Sequence, residues 1–303
     1  MSIRDRLLAL CVVVIWGLNF VVIKVGLQGM PPFLLAGLRF CLVALPAVFF
    51  IKRPELPLKW LVLYGLSISF GQFALLFLAI KLGMPAGLAS LLLQVQAFFT
   101  ILLGAMLLRE RLQWQHVLGA LVACLGMWLL AEASMDESVS SRISPLTLLL
   151  MLAAALSWGL GNISNKVINQ RYAPAMLPLV VWAALVPIGP FFLCSWLFEG
   201  PQQIHYSLTH LQLPTVLALV YLALFASIIG YGLWGGLLKR YETWRVAPLT
   251  LLVPVIGTAS AALLLDERLS WLQVGGAAVI IAGLLLNSFG GQLWTRWQAA
   301  KLV

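Results

Sequence analysis

The sequence predicts an all-α integral membrane protein, with ten transmembrane helices arranged as two inverted repeats of five. Three observations lead to this prediction: an extreme apolar composition, ten separate apolar segments of spanning length, and a set of motifs that occurs twice. Hydrophobic residues make up 62% of the 303 residues, charged residues make up 10%, and the mean hydropathy is +1.01. Soluble domains are about half apolar and about one quarter charged. The surplus indicates a chain whose outer surface faces lipid.

Ten apolar segments are long enough to cross a bilayer, which takes roughly 20 helical residues. The first five segments are 7–27, 33–51, 60–80, 86–108 and 114–131. The second five are 146–168, 175–198, 214–238, 246–265 and 271–289. The longest polar stretch, 132–144, separates the two sets. We therefore expect one repeat at 7–131 and another at 145–289, joined by this linker.

The distribution of Lys and Arg predicts the orientation of the spans. If the first span enters from the cytoplasm, most of the 19 Lys and Arg residues lie at cytoplasmic helix ends. The positive-inside rule then places both termini in the cytoplasm. This pattern also accounts for the net charge of +9. It argues against a nucleic-acid partner, which favours a continuous basic patch or stripe.

Two motifs recur in the second set of spans. A Trp-Gly-Leu triplet begins at Trp16 and again at Trp158, and a lysine follows each at the same spacing. A Glu-Arg-Leu-x-Trp motif begins at Glu110 and again at Glu267. Because each repeat holds an odd number of spans, the two halves must insert with opposite orientation. Inverted repeats are the basis of alternating access in many transporters, although a duplicated scaffold without transport would show the same pattern.

Several segments along nearly the whole chain resemble the EamA-type family of the drug/metabolite transporter superfamily. They are WGLNFVVIK at 16–24, PPFLLAGLRF at 31–40, MPAGLASL at 84–91, GYGLWG at 230–235, YETWRVAPL at 241–249 and LLLDERL at 263–269. The resemblance implies a multi-pass carrier of the bacterial inner membrane that exports small amino-acid metabolites, of the cysteine and O-acetylserine type. A broader drug or metabolite exporter and a non-transporting scaffold are the alternatives.

Arg39 lies inside the second span, about six positions or roughly 9 Å from its start. An arginine within a span costs on the order of 2.5–3.5 kcal/mol on insertion scales. One interpretation is an anchor for a substrate carboxylate. The alternatives are snorkelling to the outer interface and capping of backbone carbonyls. The aligned position in the second half is Trp182, which predicts one anchor rather than two.

A set of amide, hydroxyl and indole side chains within the spans predicts a neutral polar cavity suited to a zwitterionic metabolite. Its candidate members besides Arg39 are Trp16, Asn19, Gln72, Gln94, Gln96, Trp158, Asn162 and Tyr231. Hydrogen bonding between helices is the alternative for the amides, and anchoring at the membrane interface is the alternative for the tryptophans. Gln94 and Gln96 stand two positions apart, so on a regular helix they are not expected to point squarely into one pore.

Candidate gating residues occur near the ends of spans. Pro248 and Pro254 can bend the ninth span, with static kinks as the alternative. Lys24 and Lys166 end the first and sixth spans, where snorkelling is the alternative to a gate. The acids Glu110 and Glu267 are expected to form local ion pairs within their own hairpins.

The sequence predicts no enzymatic activity, no cofactor and no metal site. No Asp, Glu or His lies deep within a predicted span, which disfavours a proton relay through a buried carboxylate. There is no Walker A motif, so ATP does not drive this chain directly. The motifs of zinc proteases and serine hydrolases do not occur either. The four cysteines lie in apolar runs without metal-ligand spacing.

Overall fold

The computed structural model describes residues 2–133, 144–241 and 246–300. Every regular element in these ranges is a helix, which confirms the all-α prediction. The ten apolar helices are α1 (Ile3–Gly29), α2 (Pro32–Val48), α3 (Leu58–Lys81), α4 (Ala86–Leu108), α5 (Trp114–Ala133), α6 (Pro145–Arg171), α7 (Met176–Glu199), α8 (Leu213–Arg240), α9 (Leu249–Leu265) and α10 (Trp271–Ala300). A short helix that the sequence did not predict, Pro201–Thr209, connects α7 to α8.

Seven of these helices are long and apolar enough to cross a membrane, and α2, α5 and α9 are shorter apolar helices. Large apolar side chains also cover the outside of the bundle. Phe50 is 88% exposed and Trp271 is 91% exposed. An apolar exterior of this kind is stable in lipid and unstable in water. The observed helices therefore suit a membrane protein, while the count of ten spans stays a prediction.

The first two helices of each half pack against helices of the other half. Helix α1 lies against α8 and α9 of the second half, and α6 lies against α3 and α4 of the first half. Helix α2 contacts α8, and α7 contacts α3. Each of these contacts of a first-half helix has a counterpart made by the equivalent second-half helix.

Helices α5 and α10 pack together through glycines. A Cβ atom at Gly119 would lie 2.7 Å from the Gly283 carbonyl oxygen, and one at Gly126 would lie 2.7 Å from the Gly276 carbonyl oxygen. Glycine lets the two backbones approach this closely. The earlier glycine of α5, Gly119, faces the later glycine of α10, Gly283, and Gly126 faces Gly276. The two helices therefore run antiparallel.

Irregular turns occur at matching places in the two halves. The third helix of each half contains a π-helical segment, Gly65–Gly71 in α3 and Tyr221–Ile229 in α8. In the first half, α4 contains the 3-10 segment Leu93–Val95. In the second half, the 3-10 segment Ala247–Leu252 leads into the α-helical part of α9. Such departures from α-helix often mark functional sites. Both pairs of segments contribute residues to the central cavity described below.

Helix α7 is interrupted after Ala183 because of Pro187. Proline has no backbone N–H to donate to the carbonyl four residues earlier, and Val186 N donates to that Ala183 carbonyl at 3.1 Å. Gly65 of α3 faces the interruption, where a Cβ atom would lie 2.6 Å from Val186 Cβ. The break in α7 and the glycine of α3 thus fit each other.

Candidate functional site: a central cavity with two unequal mouths

A cavity of about 570 Å³ lies between the two halves. All nine residues that the sequence proposes for substrate binding line it: Trp16, Asn19, Arg39, Gln72, Gln94, Gln96, Trp158, Asn162 and Tyr231. The structure therefore brings the predicted set together, whereas the role of each residue in binding is not decided by its place. The walls also include residues without any polar or motif signal in the sequence, among them Phe73 and Leu76. Their spacing on α3 is that of ordinary core residues.

Arg39 is buried in the cavity wall and is 2% exposed. Its guanidinium carbon lies 4.1 Å from the centre of the Phe73 ring. Its Nη2 donates to Ser227 Oγ at 3.2 Å, whereas Nε and Nη1 have no hydrogen-bond partner among the described residues. Snorkelling and carbonyl capping are both inconsistent with these contacts. Stacking on an aromatic face compensates only part of the charge, so the guanidinium keeps free donors suited to an anion.

The π-helical segment of α8 places Ser227 beside Arg39. Ser227 Oγ donates to the Leu222 carbonyl at 2.9 Å, five residues earlier. The same segment offers the Ala226 carbonyl to Trp16 Nε1, which donates to it at 3.0 Å. A Cβ atom at Gly230 would lie 2.7 Å from that indole nitrogen, so the glycine makes room for Trp16.

Trp16 packs against two other aromatic residues of the cavity wall. The centre of its ring lies 5.3 Å from that of Tyr231 and 5.4 Å from that of Trp234. Tyr231 and Arg39 also line a smaller adjoining cavity together. Asn19 lies almost one turn beyond Trp16 on α1 and is 8% exposed, with Oδ1 buried and unpartnered. The wall thus holds an unsatisfied cationic donor and an unsatisfied neutral acceptor.

Two of the remaining amides join two helices, and the other two are buried in the cavity wall. Asn162 Nδ2 donates to Gln96 Oε1 at 2.6 Å and to Thr100 Oγ1 at 3.1 Å, which joins α6 to α4. This is the hydrogen bonding between helices that was the alternative for the amides. Gln72 and Gln94 are buried in the wall.

Gln94 and Gln96 both line the cavity, and Gln96 Oε1 accepts from Asn162 Nδ2 in the helix-to-helix bond described above. Gln94 lies within the 3-10 segment Leu93–Val95, and Gln96 follows that segment directly. Over two residues, the tighter turn narrows their angular separation from about 160° to about 120°.

A cluster of polar contacts surrounds the buried Glu267 carboxylate at the C-terminal end of α1. Lys24 Nζ lies 2.7 Å from Glu267 Oε1. The same carboxylate accepts from Ala86 N at 2.8 Å and from Gly87 N at 3.0 Å. Its side chain is 8% exposed. On α1, the described lining of the cavity extends no further toward this cluster than Phe20.

The equivalent pair in the other half is formed but exposed. Lys166 Nζ lies 2.6 Å from Glu110 Oε1, with the two side chains 44% and 42% exposed. The cavity reaches toward this side, where Asn169 and Lys239 contribute to its lining. The prediction of local ion pairs is therefore wrong for Glu110 and Glu267. Each of these acids pairs with a lysine far away in the sequence, which no local pattern could indicate.

The two candidate gating prolines occupy the start of α9. Pro254 is buried in the first turn of the α-helical part, Val253–Leu265, where proline is tolerated. Pro254 therefore does not kink the interior of the helix, although a kink was one interpretation of this proline. Pro248 falls in the 3-10 segment, and its side chain lies outside the part of the chain that the structure describes.

Comparison with known proteins identifies relatives over the full length. The model of the EamA-like transporter family matches residues 6–131 and 145–289. A Salmonella typhimurium protein named "Probable amino-acid metabolite efflux pump" is 59% identical over 291 residues, 96% of both chains. An Escherichia coli protein of the same name is 56% identical over 304 residues, 100% of this chain and 99% of that one.

More distant proteins share the architecture. A "Probable terminal-alkyne amino-acid exporter" of Streptantibioticus cattleyicolor is 28% identical over 284 residues, 90% of both chains. A crystal structure of a protein with 22% sequence identity superposes with a TM-score of 0.64, over 94% of this chain and 96% of that one. The helical arrangement described above is therefore a fold that also occurs in a solved structure.

Proposed function

The chain belongs to the EamA-like transporter family, and on that premise we propose that it exports small amino-acid metabolites by alternating access. The proposed cargo is a zwitterion of the cysteine and O-acetylserine type. The relatives named amino-acid metabolite efflux pumps support the general class of cargo. The zwitterionic character of the cargo rests on the chemistry of the cavity, whereas the cysteine and O-acetylserine type is what the family resemblance implies.

One observation carries the proposal: a buried arginine with free donors in the wall of a cavity without an acid. No Asp or Glu is among the described lining residues, so no protein carboxylate competes for Arg39. A guanidinium pairs well with a carboxylate, often through two parallel hydrogen bonds. The carboxylate of an amino acid would engage one of the two nitrogens that lack partners, Nε or Nη1, together with the second N–H of Nη2. Arg39 would then be the single anchor of the site.

Asn19 supplies the complementary end of the proposed site. Its free Oδ1 would accept a hydrogen bond from the ammonium group of the substrate. Asn19, Trp16, Tyr231 and Arg39 all line the same cavity, and the rings of Trp16 and Tyr231 are 5.3 Å apart between centres. Gln72 and Gln94 would line the space beside the side chain of the metabolite. Trp158 and Asn162 would form the wall contributed by the second half, with Asn162 bonded to Gln96 of the first half.

The proposed topology has ten spans, in two inverted repeats at 7–131 and 145–289, with both termini in the cytoplasm of a bacterium. The antiparallel packing of α5 on α10 supports the inversion. The distribution of Lys and Arg supports the orientation. In that orientation the open mouth beside Lys166 faces the cytoplasm, where an exporter loads its cargo. Lys24, Lys166, Pro248 and Pro254 are proposed to take part in closing the two mouths.

Transport into inside-out membrane vesicles tests this function. We expect saturable uptake of labelled O-acetylserine or cysteine, competed by related zwitterions. We expect Arg39→Gln to reduce uptake by at least about 100-fold, because loss of one partner of a buried charged pair costs about 3–5 kcal/mol. Membrane expression equal to the parent is the control. Normal uptake by Arg39→Gln would exclude the anchor, and competition by diverse cations would favour a general drug exporter.

A further inference from the structure

We propose that the loop between α2 and α3, residues 49–57, binds the phosphate of an anionic phospholipid together with the end of α6. The site lies at the cytoplasmic surface of the membrane in the topology proposed above. Its residues are not among those that line the central cavity. The inference therefore goes beyond export, and it rests on that topology rather than on the identity of the cargo.

The loop is held in place by contacts with the second half of the chain. Trp182 Nε1 of α7 donates to the Ile51 carbonyl of the loop at 2.9 Å. Leu56 is buried in an apolar cluster that includes Ile168 of α6 and Leu179 of α7. The loop therefore has a defined position beside the C-terminal end of α6 and the N-terminal end of α7.

An arginine and an indole from different helices meet beside this loop. Arg171 ends α6, and its guanidinium carbon lies 5.8 Å from the centre of the Trp60 ring in the first turn of α3. Trp60 Nε1 is buried and has no acceptor among the described residues. A buried donor without a partner carries a desolvation cost, which a phosphate oxygen would remove. The exposed Arg171 side chain would follow the phosphate and leave the indole N–H accessible to it.

Three further cations lie next to this pair along the chain. Lys52 and Arg53 belong to the loop, Lys59 precedes Trp60, and all three are exposed. The ion pairs among the described residues include none of these three and not Arg171. With the one acid of the loop, the four cations leave a formal charge of +3. Anionic lipids of the cytoplasmic leaflet attract basic clusters of this kind.

Large apolar side chains beside the cations favour a lipid over a soluble anion. Phe49 and Phe50 are 81% and 88% exposed, and Leu58 is 58% exposed. Side chains this apolar are stable among acyl chains, while neighbouring cations reach the level of the headgroups. A phospholipid offers acyl chains and a phosphate in one molecule, whereas a free phosphate offers only the charge.

The corresponding connection of the second half has none of this chemistry. No Lys or Arg occurs between Arg171 and Lys239. The acid at the end of α7, Glu199, instead accepts from the backbone N–H groups of Phe33 and Leu34 at 2.6 and 3.1 Å. The basic cluster is therefore not part of the repeat. Orientation of the spans is the other role of such charges, but it acts during insertion, so the test uses purified protein.

Native mass spectrometry and thermal melting in a neutral detergent measure the lipid directly. We would add phosphatidylglycerol, with phosphatidylcholine of the same acyl chains as the uncharged comparison. We expect phosphatidylglycerol to stay bound and to raise the Tm by several degrees, because a ligand of the folded state stabilises it. Equal retention and equal Tm shifts for the two lipids would overturn the proposal.

A pair of double variants separates a site from a general attraction to basic protein. Lys52→Gln combined with Arg53→Gln should weaken phosphatidylglycerol binding by about 30-fold, since each cation near a membrane surface contributes a factor of about five. Arg109→Gln combined with Arg111→Gln is the matched control. It removes the same charge from the exposed connection after α4 and should change binding by less than about twofold. Equal losses in the two double variants would overturn the site.

Trp60→Phe isolates the indole donor. It keeps an aromatic ring beside Arg171 and removes only the N–H group and part of the ring. We expect phosphatidylglycerol to bind about tenfold more weakly, as for a lost hydrogen bond to a charged group. The Tm without lipid should stay close to that of the parent, because the missing donor had no partner. Unchanged lipid binding would contradict the assignment of this donor to the phosphate.

Soluble anions separate a lipid from a free phosphate. Inorganic phosphate and glycerol phosphate, at the concentration used for the lipid, should neither raise the Tm nor displace phosphatidylglycerol. Protection by either anion equal to that by the lipid would overturn the lipid as the occupant. None of these measurements uses cargo. A failure of lipid binding would leave the proposed export standing, and normal uptake by Arg39→Gln would leave the lipid site standing.

Discussion

The second helices of the two halves occupy equivalent places and do different chemistry. On α2, Arg39 lies over Phe73 and reaches Ser227 at the edge of the cavity. On α7, the aligned Trp182 donates from Nε1 to the Ile51 carbonyl at 2.9 Å and is not among the cavity-lining residues. The packing of the halves is shared, whereas the charged group is not. Under the proposed function, the repeat would provide the movement and departures from it would provide the recognition.

The strongest test of this comparison is to move the charge from one half to the other. Arg39→Gln combined with Trp182→Arg keeps the number of arginines but places the guanidinium beside the end of α2. We expect uptake to stay at least about 100-fold below the parent, because the charge no longer faces the cavity. Initial rates in inside-out vesicles measure the effect, with Trp182→Arg alone as the control. Recovery of uptake by the double variant would contradict the asymmetry.

The shared packing can be tested with two adjacent glycines. A Cβ atom at Gly276 would lie 2.9 Å from the Gly126 carbonyl oxygen, whereas one at Gly275 would meet nothing within 4 Å. We expect Gly276→Ala to destabilise the chain by about 1–3 kcal/mol, as overpacking usually does. Gly275→Ala should leave stability unchanged or slightly raised, since alanine favours helix. Thermal melting in detergent compares the two, and equal Tm values would contradict the close approach of α5 and α10.

The smallest expected effect concerns the ammonium end of the site. Asn19→Leu keeps the size of the side chain and removes its acceptor. We expect the half-saturation concentration for O-acetylserine to rise about tenfold, as for one lost hydrogen bond to a charged group. N-acetylserine, which has a carboxylate but no ammonium, should compete weakly with the parent and no worse with the variant. If the variant discriminates between the two compounds as the parent does, Asn19 is not the acceptor.

Much of the architecture could be predicted from the sequence because hydropathy reports burial in lipid directly. Each of the ten predicted segments coincides with an apolar helix. The nine candidate residues of the cavity were found because a polar or indole group within a span is unusual. Phe73 carries no such signal, although it supports Arg39.

Contacts between distant segments could not be predicted. The bonds of Glu267 to Lys24 and to α4 depend on how the two halves dock, and the sequence near Glu267 suits a local pair equally well. The place of both Gln94 and Gln96 in the cavity lining involves a 3-10 turn. No distinctive residue pattern in the sequence marks that turn. The break in α7 has a local cause in Pro187. The close approach of Gly65 to that break becomes visible only once the packing of α3 on α7 is known.

The lone guanidinium in a cavity without described acids has an electrical consequence. A zwitterion has no net charge, so the loaded and empty carriers bear the same total charge on the moving site. Displacing one charge across 100 mV is worth about 2.3 kcal/mol, but this energy is equal and opposite in the forward and return steps. In a cycle that carries no other ion with the cargo, the membrane potential should therefore change the speed of the cycle and leave the final concentration ratio of the cargo unaltered. Vesicles clamped at different voltages would reach the same plateau at different times.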